Sequence, residues 1–190
     1  MTDQTKISFE NTEYAFAYKS DAELKKANFL FGFMGKPWLV NTALKLTPLA
    51  IKWHLPFTKT LIRKTIFKQF VGGETLDETA KVADKLETYN VQVILDYGVE
   101  GKENEEDFTR TANAIKEAIL FAKDNAAVDI VCSKFTGLIP FSILEKLHAK
   151  EALTDKENEI LKASKERIYS ISKLAFENNV SLFVDAEESW

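Results

Sequence analysis

Val180-Ser-Leu-Phe-Val-Asp-Ala-Glu-Glu-Ser-Trp190 reads as a short apolar strand, Leu182–Val184, that delivers a carboxylate triplet: Asp185, Glu187 and Glu188. Two earlier segments are built the same way. Val91–Leu95 reads as a β-branched strand, apolar but for Gln92, that runs into the acidic, glycine-bearing loop Asp96-Tyr-Gly-Val-Glu100-Gly101. Val128–Ser133 reads as another, apolar but for Asp129 and Ser133, running into Lys134-Phe-Thr-Gly-Leu138. Helical patterns alternate with the strands at 76–89, 104–123 and 155–177, with a shorter helix from Pro140 to about Lys150. Thr75-Leu-Asp-Glu78 and Thr154-Asp-Lys-Glu157 have capping-box spacing, and Glu105, Glu106 and Asp107 fall at the positive end of the middle helix. Asn90 and Asn178-Asn179 act as stops.

Short strands that are apolar on both faces, each preceded by a helix, predict a parallel sheet covered by helices and joined by right-handed crossovers. A doubly wound sheet and a (β/α)8 barrel both satisfy that pattern. The nucleotide-binding form of the first wants G-x-G-x-x-G after strand one, which Asp96-Tyr-Gly-Val-Glu-Gly101 lacks. The polar residues gather just past the C-terminal end of each strand, the rim where barrels place their chemistry. The expected class is therefore α/β: an incomplete TIM-type barrel comprising the first three strands. About five further β/α units would be needed for closure, so the chain is expected to continue past Trp190.

Upstream the chain reads as an all-helical arm over residues 1–73, with the barrel portion spanning 74–190. Ser20-Asp-Ala-Glu23 is a capping box for a helix to about Phe33, broken at Gly35-Lys36-Pro37. Residues 38–54 are helical, with Pro48 expected as a kink or boundary. In 57–71, Phe57, Leu61, Phe67 and Phe70 are expected near one face, with Lys59, Arg63, Lys64 and Lys68 toward others, before Gly72-Gly73 ends the helix.

Composition narrows the function classes. Of the 190 residues 45% are apolar and 28% charged, which excludes a disordered chain. One cysteine, Cys132, excludes an internal disulfide framework and fits a reducing cytoplasm. No Cys/His cluster suggests a zinc site, the N-terminus has no secretory pattern, and no apolar stretch is long enough to span a bilayer. The net charge of −4 hides a segregation: between Glu23 and Glu74 there are nine basic residues and no acidic one. The remainder carries 16 basic against 29 acidic residues. An arm of this kind neutralises the acidic barrel portion or, as the second reading, suits an anionic membrane surface. It lacks a recognisable nucleic-acid-reading motif.

The three strand-end motifs, Asp96-Tyr-Gly-Val-Glu100, Ser133-Lys134-Phe-Thr-Gly-Leu138 and Leu182-Phe-Val-Asp185-Ala-Glu-Glu188, resemble those of the proline dehydrogenases over residues 75–190. The resemblance implies a distorted (β/α)8 barrel that oxidises L-proline to Δ1-pyrroline-5-carboxylate with FAD and passes electrons to a membrane quinone. It implies that Lys134 pairs with the proline carboxylate, that Asp185 sits beside the ring nitrogen, and that Ala186 lies against the flavin. Asp96 and Glu100 match the loop that gates the site. The family's later arginine-bearing motifs are not among these residues, so the 190 residues alone are expected to be inactive; the open edge of Leu182–Val184 is expected to make them self-associate, by edge pairing or by swapping the N-terminal helices. The cytoplasm, at the inner face of a membrane touched by residues 24–73, is the expected location.

Other readings of the same residues stand beside these. Lys134 also fits a rim lysine snorkelling from a strand end, or the Schiff-base lysine of a lyase. Asp185 also fits an N-cap for a following helix, and Asp96 and Glu100 a solvated loop. Glu187 and Glu188 fit cross-barrel ion pairs better than metal ligands, and no metal is expected. His54 and His148 read as surface or cap residues. The competing class is a small non-enzymatic α/β domain that binds a partner through its acidic rim and basic arm.

Overall fold

The computed structural model describes residues 10–186, so the roles expected of Glu187 and Glu188 lie outside the described residues. Two compact units emerge, residues 1–85 and 86–190.

The first unit is helical. A short helix α1 (Thr12–Ala15) leads to α2 (Asp21–Met34), where both halves of the Ser20/Glu23 capping box are made. The Ser20 backbone N–H, and then its hydroxyl, hold the Glu23 carboxyl down at about 2. α3 (Pro37–Lys52) begins on a proline, which needs no donor there. Pro48 does not end it: the helix runs on to Lys52, giving up only the bond that a residue-48 N–H would make to the Leu44 carbonyl. α4 (Thr58–Ile62), a π-helical turn (Arg63–Phe67) and α5 (Lys68–Phe70) follow without a break. The turn overturns the expected face for this segment. Each extra residue advances a helix by about 100°, so residues on either side of the π turn fall out of phase. Phe57, Leu61 and Phe70 are exposed, while Ile62, Thr65 and Phe67 are half-buried.

α6 (Leu76–Glu87) is tied to what precedes it, and its residues as far as Lys85 cluster with the first unit. Arg63 pairs with both Glu74 and Glu78. A Cβ at Gly73 would lie 2.8 Å from the Thr79 nitrogen, so only glycine lets the chain pass that closely into α6. The capping box forms with one offset: Thr75 Oγ1 accepts from the Glu78 N–H, while the Glu78 carboxylate reaches back to the Glu74 N–H.

The second unit is a three-stranded parallel sheet in the order β1 (Val93–Asp96), β2 (Val128–Lys134), β3 (Ser181–Asp185). Between β1 and β2 runs α7 (Glu105–Lys123); between β2 and β3 run a 3-10 turn (Phe135–Gly137), α8 (Phe141–His148) and α9 (Asp155–Glu177). α7 packs on β2 and α9, and α9 on β3. The core lies there: Phe108, Ile115 and Ile119 of α7, Leu138 after the turn, Ile143 of α8, Ile171 of α9, and Val128 and Val131 of β2.

The strands are not covered on both faces, which corrects the sequence expectation. Val93 pairs with Val128 but Ile94 with Ile130, so Asp129 is an extra residue that bulges out of β2. Beyond the bulge, Val131 and Ser133 face the helices and are buried, while Ile130, Cys132 and Lys134 share the other face with Ile94, Asp96, Phe183 and Asp185. Ile94 and Phe183 are about half exposed there. Runs with apolar residues on both faces carry no mark that tells a helix-covered face from one awaiting other strands, which is why the sequence read both as covered.

Candidate active site at the strand ends

Each strand ends on its charged residue: β1 on Asp96, β2 on Lys134, β3 on Asp185. Register brings two of them together. Lys134 is the direct partner of Asp185 across β2 and β3, and its Nζ donates to Asp185 Oδ2 at 2.5 Å. Asp96 pairs with Cys132, one side-chain step lower on the same face, which leaves its Oδ2 3.9 Å from Nζ. Glu100, four residues into the loop after β1, places Oε1 3.3 Å from Nζ. One ammonium thus faces three carboxylates, all four of the predicted charged site residues. Ala186 follows Asp185 directly, and its backbone helps lower the Asp185 carboxyl.

Burial is uneven. The Lys134 side chain is 12% exposed, that of Asp185 49%. The hydrogen bond to Asp185, then those of the other carboxylates, raise the Lys134 ammonium above its ordinary value against the opposing effect of desolvation. The same bond lowers Asp185. A Schiff-base lysine needs the reverse, an amine made easier to deprotonate, so the charge pattern favours ion pairing over amine nucleophilicity. Cys132, on the same face, is pushed up by burial and by Asp96 and Asp185, which leaves it a protonated, unreactive thiol. Among the described residues no group of three or more His, Cys, Asp or Glu side chains could hold a metal ion.

The loops that carry these groups are joined to one another. The Lys102 N–H donates to the Thr136 carbonyl at 3.4 Å. A Cβ at Gly137 would sit 2.6 Å from the Val99 carbonyl oxygen, so glycine is what permits the loop after β1 to lie on the turn after β2. In the sequence Gly137 shows only as part of its motif, with no sign of this role. Arg167 has one local signal, its place on the buried stripe of α9 with Ser164, Ile171 and Ala175. His54 lies in the helical unit beside a shallow pocket of about 270 Å³ that none of the site residues lines, and His148 ends α8.

Comparison with known proteins gives this arrangement its setting. Residues 79–190 match the family model for proline dehydrogenase. The chain is similar to the proline dehydrogenase 1, mitochondrial, of Dictyostelium discoideum, at 29% identity over 68% of this chain and 29% of that protein. It is similar also to the protein of the same name from Caenorhabditis elegans, at 42% identity over 50% of this chain and 15% of that protein. The chain spans less than a third of the length of either relative. The matched stretch holds β1, β2 and β3 with Asp96, Glu100, Lys134, Asp185 and Ala186, and it covers more than half of the chain. The chain belongs to the proline dehydrogenase family.

Proposed function

We propose that the protein to which these residues contribute oxidises L-proline to Δ1-pyrroline-5-carboxylate with FAD and passes the electrons to a membrane quinone. In this reading the sheet is the first three strands of a TIM-type (β/α)8 barrel, preceded by the helical arm. The observation that carries the proposal is the cross-strand pair. Proline is a zwitterion, and Lys134 and Asp185 present opposite charges side by side at the ends of adjacent strands, which lie about 4.8 Å apart. Lys134 would exchange its carboxylate neighbours for the substrate carboxylate, and Asp185 would turn to accept from the ring nitrogen, fixing the ring's orientation. Asp96 and Glu100 would hold the loop over the site until the exchange occurs.

FAD would supply the oxidising chemistry. The described residues do not by themselves fit the whole cofactor. Ala186 offers a small side chain beside Asp185, but a pyrophosphate needs free cations or a helix N-terminus, and the strand-end cation Lys134 is committed to carboxylates. The 190 residues alone are accordingly proposed to be inactive. The proposed location is the cytoplasm, at the inner face of the membrane that holds the quinone.

The test is proline-dependent reduction of a dye by the full-length protein. Each of Lys134→Ala and Asp185→Ala removes a charge-assisted contact, so kcat/KM is expected to fall by about 10- to 100-fold. No proline-dependent reduction by the unaltered protein would overturn the function. Full activity in both variants would overturn the site.

A further inference from the structure

Arg167 is a cation sunk into the second unit, its side chain only 8% exposed, and no role proposed above uses it. It reaches from α9 to two other elements. Nη1 donates to the Leu138 carbonyl at 2.8 Å and lies 3.5 Å from Ser164 Oγ. Nη2 pairs with Glu105, the first residue of α7. The guanidinium carbon lies 5.6 Å from the centre of the Phe108 ring. Leu138, Ser164 and Phe108 are all buried.

Those contacts fall at the bases of both loops that carry site residues. Leu138 closes the turn that begins directly after Lys134, and its own N–H is bonded to the Phe135 carbonyl at 2.8 Å. Glu105 follows Asn104, the α7 N-cap at which the loop bearing Glu100 ends. Above Arg167 the same two loops meet again, through Lys134 with Glu100, Lys102 with Thr136, and Val99 against Gly137. A planar fork meets a carbonyl, a carboxylate and a ring face together; a lysine ammonium, as a compact point charge, cannot.

We propose that Arg167 is a positioning residue for the strand-end site, holding the loop 97–104 and the turn 135–138 in the mutual arrangement that keeps Glu100 over Lys134. The activity arm of its test rests on the function proposed above; the exchange arm does not.

The experiment compares the full-length protein with its Arg167→Lys and Glu105→Ala variants, by hydrogen exchange of peptides and by proline kinetics. Glu105 is 59% exposed and its replacement keeps the Arg167 contacts to Leu138 and Phe108, so this second variant, its fold checked by circular dichroism, decides the proposal where the arginine variant is poorly folded. In Arg167→Lys, exchange is expected to rise about tenfold in both 97–104 and 134–139, with β3 peptides unchanged. In Glu105→Ala the rise is expected in 97–104 alone. KM for proline is expected to rise about tenfold in Arg167→Lys with kcat within about twofold. Unchanged exchange in both loops, a uniform rise across all three strands, or a loss in kcat at constant KM would overturn the proposal. An unaltered protein inactive toward proline would fail the proposed function while the exchange arm still decides the role of Arg167.

Discussion

Lys134 and Asp185 set each other's protonation, and the signs fix a pH window. Asp185 is lowered, so its contribution to stability is present above the ordinary aspartate value of about 3.9 and is lost as pH falls through its folded value. Lys134 is raised, so its contribution is complete below about 10.4 and is lost only as pH rises through its folded value. Between about pH 4 and pH 10 the pair is fully charged. Replacing Lys134 by Met leaves Asp96, Glu100 and Asp185 facing one another with no cation among them. Thermal unfolding is then expected to show a loss of a few degrees at pH 7 that shrinks at pH 3.5, where Asp185, no longer held down by Lys134, takes up a proton. A loss that grows toward acid pH would contradict this account of the site. The charged residues of this cluster were legible in the sequence because a strand end is marked by where its apolar run stops. Gly137 was not, and Arg167 only as a charge on the apolar stripe of α9, because their partners belong to segments far apart in the chain: a carbonyl 2.6 Å from where a Cβ would be, and a carbonyl and a carboxylate on different elements.

At the scale of elements, the strands and the capped helices follow closely from local sequence. α9 begins where Thr154 and Glu157 predict, with both halves of the box made. Lys146 and then the Thr154 amide and hydroxyl hold the Glu157 carboxyl at about 2. What local sequence does not carry is phase. The bulge at Asp129 decides which β2 side chains share a face with Asp96, and the π-helical turn decides which side of residues 58–70 is half-buried. The phase of β2 has a consequence for association. Among the described residues β1 and β3 each pair on one side only, and Ile94 and Phe183 stand about half exposed on the open face between them. Unpaired parallel edges beside an apolar face are a template for another chain. The 190 residues alone are therefore expected to form dimers or larger species by light scattering, and Phe183→Lys to shift them toward monomer. A monomeric unaltered chain at tens of micromolar would count against it.

At the scale of the whole molecule, the two units bury side chains in opposite ways. Residues 86–186 enclose a core, whereas no described residue of α1 to α5 is buried. The half-buried seam of α3 is Leu39, Val40, Ala43, Thr47 and Ala50; its larger residues Leu44, Leu46, Leu49 and Ile51 point outward, with Trp38 and Trp53 68% exposed at its ends. Large apolar residues left exposed along a helix are what the proposed contact with a membrane surface needs. The charges fit it as well. Arg63, Lys68 and Lys26 have partners among the described residues, while Lys25, Lys36, Lys45, Lys52, Lys59 and Lys64 make no ion pair there. No helix among the described residues is long and apolar enough to cross a membrane, so the proposed contact is with its surface. At about 1 kcal/mol per cation near an anionic leaflet, six free lysines supply enough attraction to hold exposed tryptophans at the interface. Salt shortens the screening length from about 10 Å at 0.1 M to about 3 Å at 1 M, so the electrostatic part is removable and the apolar part is not. The full-length protein is expected to float with vesicles containing anionic lipid at low salt, to be partly released at 1 M, and to bind neutral vesicles only as weakly as it binds anionic ones at 1 M. Lys45→Glu with Lys52→Glu is expected to weaken flotation without altering dye reduction in solution. Absence of flotation at low salt would leave the other reading of the arm, in which its cations neutralise acidic protein instead of lipid.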